Sequence, residues 1–338
     1  KEAINNGLTG EDAVNEALKK IKPSNECMDV PDNAYTDGAN VLNAIDILKS
    51  LSHSTQPFFF AVGFSKPHLP FVSPKKYWDM YKREDMPLAE FQEHTANEVL
   101  IAYQNSGELR NYSDIPDYCT RSKEEMRAGL KEEKQKELVH GYYAAVTYVD
   151  AQVGMLLNTL DSLGTLNNTI IVLWGDHGWH LSEKGMWAKG TLFEVSARGP
   201  LFIADPRLRT AGRTTRRVVE YLDMYPTLTD LCGLPKPAWV EGTSLRPLLE
   251  NPEAQWDKPA RTFVVRNWAI GRSIRTERWR YTEWDEGRRG AALYDHDADP
   301  HEMRNLVNEP SVAATVQELR TALRSGPVAR DPGRASSP

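Results

Sequence analysis

Residues 169–174, Thr-Ile-Ile-Val-Leu-Trp, are apolar throughout and are followed at once by Gly175-Asp176-His177-Gly178. An apolar run of this length is a strand rather than a helix, and one with no polar alternation is expected to be covered on both faces, as in a sheet flanked by helices. Two more runs are of the same kind: Pro57-Phe58-Phe59-Phe60-Ala61-Val62-Gly63-Phe64 and Pro200-Leu201-Phe202-Ile203-Ala204. Helical patterns precede, separate and follow them over residues 37–51, 139–163 and 218–232, the second carrying the stripe Tyr143, Val146, Val149, Val153, Leu156, Leu157 and Leu160 and stopping at Gly164. Helices alternating with buried strands define an α/β layered fold with a mostly buried central sheet.

The texture changes near residue 255. Strand-like segments at 262–265, 268–274, 279–284 and 291–294 are joined by short connections, which predicts a small antiparallel sheet, and a helix over 311–324 is placed to pack on it. The expected organisation is therefore an α/β portion over 1–255, a C-terminal subdomain over 256–325 and a disordered Pro-, Gly-, Ser- and Arg-rich tail over 326–338. Residues 1–35 read as a short helix and an irregular stretch. Residues 65–135 form a long Pro-rich excursion of the kind that usually serves a cleft, and 124–138 read as a charged, solvated helix or its lead-in.

With 47 acidic and 41 basic residues the net charge is -6, against broad nucleic-acid binding. No apolar run reaches the length of a membrane span. Cys27, Cys119 and Cys232 are too few for a disulfide scaffold, although one pairing among them is open. The chain starts at Lys1 with no visible signal peptide, which fits either processing or a piece of a longer product. Nothing in the sequence bears on oligomeric state.

The chemistry concentrates after the strands. Ligands in α/β sheets bind beyond the C-terminal strand ends, and that is where Asp176 offers a carboxylate and His177 an imidazole to a divalent cation. Gly175 and Gly178 permit a sharp turn there, and Lys189, thirteen residues after Asp176, can return a point charge for an anion. The same sequence also suits a side-chain-capped turn with a solvated lysine. His68 lies after another apolar run, in Ser65-Lys66-Pro67-His68-Leu69-Pro70-Phe71, where flanking prolines restrict the backbone.

These segments together resemble iduronate-2-sulfatase-like sulfatases. Lys66-Pro67-His68-Leu69-Pro70-Phe71 is similar to their K-P-H-x-P-F block, and Gly175-Asp176-His177-Gly178-Trp179 with Trp187-Ala188-Lys189 to their S-D-H-G-W and W-A-K blocks. Tyr142–Asp150, Asp223–Leu228, and Leu293-Tyr294-Asp295 with Asp299-Pro300-His301-Glu302 and Asn305-Leu306 extend the resemblance over most of 27–308. It implies an alkaline-phosphatase-like fold and a sulfuric ester hydrolase acting on a sulfated, uronate-containing carbohydrate. It further implies that Asp176 and His177 ligate Ca2+, that Lys189 and His68 hold the sulfate ester with His68 as the acid, and that Trp179 lines the pocket, with His180 also placed at the substrate. The family's enzymes are periplasmic, secreted or lysosomal, so periplasmic or secreted location is expected. Their nucleophile, a formylglycine from C-x-P-S-R, has no counterpart, since no cysteine or serine here begins such a motif, and the early paired aspartates of the metal site are also missing. That pattern reads as N-terminal truncation. Lys184 and His180 differ from the residues usual in close relatives, so sugar specificity does not carry over. Two competing readings are a two-metal phosphate-ester hydrolase of the alkaline-phosphatase-like group and a non-catalytic glycan-binding module.

Overall fold

The computed structural model describes residues 9, 10, 12, 22–115 and 129–326. The expectations for a helix near the N-terminus, for a disordered tail and for Cys119 fall outside them. The chain divides into two compact units that interleave along the sequence: residues 1–92, 105–169 and 181–188, and residues 93–104, 170–180 and 189–338. The expected border at residue 255 does not coincide with the division between them.

The first unit is built around long helices. Strand β1 (Asn25–Met28) precedes helix α1 (Thr36–Ser52), strand β2 (Phe71–Pro74), a single helical turn α2 (Lys75–Trp78) and the 31-residue helix α3 (Glu132–Ser162). β1 and β2 pair in parallel, Asn25 opposite Phe71. Tyr77, Trp78, Ala144 and Tyr148 form a core between α2 and α3, and the buried Tyr148 hydroxyl donates to Asp32 O at 2.9 Å while accepting from the Gly38 N–H at 2.6 Å. A buried phenol that is both donor and acceptor carries no desolvation penalty.

The second unit holds the antiparallel pair β3 (Ile171–Trp174) and β4 (Leu201–Ala204), the turn α4 (Glu194–Ala197) and the helices α5 (Met224–Leu231) and α6 (Arg246–Glu250). It then forms the four-stranded antiparallel meander β5 (Ala260–Arg266), β6 (Ala269–Arg275), β7 (Trp279–Trp284) and β8 (Ala291–Asp295), closed by helix α7 (Ala313–Arg324). Ile274, Tyr281 and Leu293 from the sheet bury against Val316, Leu319 and Leu323 of α7. The C-terminal expectation therefore holds strand by strand.

Three expectations need correction. Residues 57–64 form no strand, and Phe59 is 85% exposed: among the described residues none pairs with this run, and apolar composition cannot supply the hydrogen-bonding neighbour a strand requires. β3 and β4 are not buried on both faces, since Leu173, Trp174 and Phe202 are exposed, and the sheets outside the C-terminal subdomain have two strands each among the described residues. The helix anticipated over 218–232 spans only 224–231, because Pro226 is tolerated only in a first turn.

Candidate active site

The loop leaving β3 is shaped by what packs on it. The Gly175 N–H donates to Pro200 O (3.1 Å) and the Gly178 N–H to Ser196 O (2.9 Å). A β-carbon at Gly178 would stand 1.9 Å from Val195 O. Gly178 is thus required for close approach of the α4 backbone; its φ is not in the left-handed region, so the sharp-turn argument does not apply to it.

This packing presents Asp176 and His177 to solvent. The Asp176 carboxylate is 83% exposed, and its Oδ2 lies 3.5 Å from His177 Nε2. His177 Nδ1 sits 2.8 Å from Gly178 O; a carbonyl only accepts, so Nδ1 carries the hydrogen and the neutral ring keeps its lone pair at Nε2. One carboxylate oxygen and one imidazole nitrogen, close together and facing solvent, fit two positions of a divalent-cation site. They supply only two of the six or more donors calcium takes. Tyr221 borders the loop, its side chain reaching Gly199 and its hydroxyl 3.5 Å from Pro200 O. Burial and the nearby Asp176 carboxylate both push that phenol above its usual range. Tyr221 was not visible as a site residue in the sequence.

Lys189 Nζ stands 5.4 Å from the centre of the Trp179 ring, within cation–π range. The indole Nε1 of Trp179 is buried without a hydrogen-bond partner. Asp176, His177, Trp179 and Lys189 are thus gathered in one unit. His180 is different: its side chain is completely buried, Nε2 is 3.0 Å from Thr191 Oγ1, and its ring meets Phe193 edge-on. It supports the 189–193 segment from within and is not positioned to touch a ligand, and Lys184 is buried as well.

His68 belongs to the first unit. Its loop is held by the buried Asp37, which accepts from Ser65 N and Oγ (2.9 and 3.0 Å) and from Lys66 N (2.9 Å). Lys66 Nζ then bridges His68 O (2.7 Å) and Pro70 O (2.9 Å), and burial moves its ammonium below the usual range. His68 Nδ1 donates to Leu69 O at 2.7 Å, and Nε2 lies 2.8 Å from Glu108 Oε1. Both partners accept, so this geometry suits a ring with both nitrogens protonated. Glu108, forty residues away, could not have been found from sequence.

α4 is anchored on its other side by an ion network. The Glu194 N–H donates to Glu302 Oε2 (2.8 Å), and Arg280 binds Glu302 Oε1 through Nε (2.6 Å) and the Glu194 carboxylate through Nη2. Arg275 Nε reaches Glu194 at 3.2 Å, and His296 Nε2 reaches Glu302 at 3.1 Å. Burial drives both carboxyls up, but the charges outweigh it: Arg280 and His296 hold Glu302 at about 2, and Arg280 with Arg275 keeps Glu194 below its usual value. Glu194, His296 and Glu302 bring one ligand atom each within 4.8 Å of one another, as a metal site would. Two guanidinium groups already neutralise those carboxylates, so the cluster is better described as an ion-pair lock. Asp299-Pro300-His301-Glu302, read from sequence only as a family marker, thus helps hold the turn against which the Asp176 loop packs.

Just beyond β3 this α/β scaffold presents a carboxylate and an imidazole to solvent, with Lys189 in the same unit. The chain belongs to the sulfatase family: the family model described as Sulfatase matches residues 3–234, and that described as N-sulphoglucosamine sulphohydrolase, C-terminal, matches 182–327. It is 30% identical to iduronate 2-sulfatase of Mus musculus, covering 86% of this chain and 65% of that protein. Its fold is shared with a protein solved in complex with its substrate D-glucosamine-2-N,6-O-disulfate (24% identity, TM-score 0.72, covering 86% of this chain and 69% of that one). It is also shared with a phosphonate monoester hydrolase of Agrobacterium radiobacter (25% identity, TM-score 0.70, covering 88% and 61%). The chain spans 50–65% of the length of the first curated relatives it matches. No helix among the described residues is long and apolar enough to cross a membrane.

Proposed function

We propose that this chain carries part of the active site of a sulfuric ester hydrolase acting on a sulfated carbohydrate, one containing a uronate as in the substrate that the name of the mouse relative indicates. The observation that carries the reading is the Asp176–His177 pair at the end of β3, with Lys189 returning over Trp179 in the same unit.

In this reading Asp176 Oδ2 and His177 Nε2 provide two ligands to Ca2+. When bound, the ion would neutralise charge on the sulfate oxygens. Lys189 adds a point charge to the same anion, its ammonium held within cation–π range of Trp179. His68 is the acid for the leaving alcohol. Both ring nitrogens face acceptors, Leu69 O at Nδ1 and Glu108 at Nε2, so in this reading Nε2–H exchanges Glu108 for the leaving oxygen when it donates. The nucleophile is not supplied by these 338 residues, which contain no C-x-P-x-R motif. In this reading a formylglycine and the remaining metal ligands lie elsewhere in a longer product, exported to the periplasm or beyond; that the chain spans 50–65% of the first relatives' length leaves room for them.

The 338-residue chain alone is then expected to show no turnover on an aryl or uronate sulfate with calcium. The full-length product should turn over, and Lys189→Ala or Asp176→Ala should lower its kcat by two or more orders of magnitude. Turnover by the 338-residue chain, or full activity in either variant, would sink the proposal. The fold shared with a phosphonate monoester hydrolase supports a second reading, phosphorus-ester hydrolysis with two transition metals. Zinc, rather than calcium, in the purified full-length protein would favour it.

A further inference from the structure

The β5–β6 hairpin ends in a two-residue turn, Asn267-Trp268, with Arg266 paired to Ala269. Both turn residues have positive φ, 48° and 64°. Such turns favour asparagine first and glycine second. A tryptophan at the second position is a costly choice, because a bulky side chain in the left-handed region is strained. It gains nothing in return from packing: Trp268 is 95% exposed. Among the described residues nothing packs over this strained, solvated tryptophan, which makes the outlier a reason to look for a ligand.

The surroundings supply the rest of a site. Asn267 forms part of the wall of an open depression of about 620 Å³, whose other lining residues are Glu98, Val99, Leu100, Ile101 and Arg289. Arg289 comes from the β7–β8 turn, where it is half exposed and 3.9 Å from Asp285. That turn is seated by Gly290, at which a β-carbon would fall 2.4 Å from Val99 Cγ1. The depression thus combines an aliphatic floor with one amide, one carboxylate and one guanidinium, beside an exposed indole.

The hairpin is also fixed relative to Lys189. Arg266, two residues before Trp268, donates to Gly190 O at 2.5 Å and to Ile101 O at 2.7 Å, and its guanidinium lies 5.4 Å from the centre of the Trp284 ring. The guanidinium is held by carbonyls and an aromatic face, and its burial pushes it down to about 10. Keeping a cation in such a place is expensive, and what it secures is the attachment of the hairpin to the residue next to Lys189.

We infer that the Asn267-Trp268 turn and the adjoining depression form a carbohydrate subsite that takes a pyranose ring of an anionic oligosaccharide, adjacent to the ring whose ester Lys189 holds. The indole offers a flat apolar face to the C–H face of a sugar ring. Asn267 suits a sugar hydroxyl, and Arg289 suits a sulfate or carboxylate on the same ring; Glu98 shapes the wall, its Oε1 accepting from the Val99 N–H at 2.7 Å. The inference rests on the proposed role of Lys189 for its orientation along the chain of sugars, but not for the binding itself.

The test is calorimetric titration of the 338-residue protein with a size-defined heparin tetrasaccharide, its desulfated counterpart and a monosaccharide sulfate. Trp268→Ala should weaken the tetrasaccharide about tenfold or more, with Trp268→Phe keeping most of the affinity. Arg289→Ala should reduce the preference for the sulfated over the desulfated tetrasaccharide, and neither change should affect the monosaccharide sulfate. Both side chains are exposed, so unaltered near-ultraviolet dichroism is expected and checks the fold. Equal tetrasaccharide binding by wild type and Trp268→Ala, or no binding by wild type, would overturn the subsite. Lys189→Ala separates the two readings: if it leaves monosaccharide binding intact, the proposed function fails, while the Trp268 result still decides the subsite.

Discussion

Replacing Arg280 by methionine removes the guanidinium that compensates Glu302 and shares Glu194 with Arg275. Methionine keeps most of the length of the side chain, so the loss is mainly one of charge and hydrogen bonds. Glu302 is 1% exposed, and its carboxyl, ordinarily at 4.5, is held at about 2. Holding the carboxyl that low is on the order of 3 kcal/mol of favourable interaction with the ionised form, to which Arg280, His296 and the Glu194 N–H all contribute. Breaking a buried pair on one side typically costs about 3–5 kcal/mol, so the two magnitudes agree. The sign of the pH dependence follows. A depressed acid contributes stability that is fully present above its unfolded value and is lost as pH falls toward the folded one, here from about 4.5 down to about 2. In Arg280→Met, burial of Glu302 is still opposed by His296 and the Glu194 N–H but no longer by a guanidinium, so the variant should be about 3–5 kcal/mol less stable at pH 7 and the gap should narrow as pH falls from 5 to 3. The measurement is hydrogen exchange of the β6 and β7 amides, which reports on this sheet without assuming that both units unfold together. Arg280→Met/Glu302→Leu should recover much of the loss, since apolar replacement of both partners is close to neutral. A loss below about 1 kcal/mol at pH 7, or a gap that does not change with pH, would refute the compensation argument.

Gly178→Ala should destabilise the β3 exit loop by several kcal/mol, because its β-carbon would meet the Val195 carbonyl at 1.9 Å and backbone cannot move aside cheaply; thermal unfolding and calcium titration of the full-length protein would register it. Trp268→Gly should raise stability by about 1–3 kcal/mol through relief of the left-handed strain while weakening tetrasaccharide binding about tenfold or more, as for Trp268→Ala; a stability loss in urea titration would contradict the strain. Glu108→Gln in the full-length enzyme should lower kcat about tenfold with KM little changed; an unaltered kcat would detach Glu108 from His68.

What the sequence by itself determined was what short-range pattern controls. The meander from β5 to β8 and helix α7 lie close to where alternation and turn residues placed them, and the long helix α3 was legible from its stripe of apolar residues, although its first turn lies earlier, at Glu132. That Asp176 and His177 lie just beyond β3 was legible too, because the strand end and the pair are adjacent in the chain. Tertiary structure alone decided which groups compensate which. Glu108 reaches His68 across forty residues, and Glu302 meets Glu194 across 108. Burial made His180 an internal support for Thr191 although its chemistry suited a ligand, and the lack of a pairing partner among the described residues left the aromatic run at 57–64 without a strand. Periodicity records which way a side chain faces on its own element; desolvation and ion pairing depend on what the rest of the chain brings opposite it.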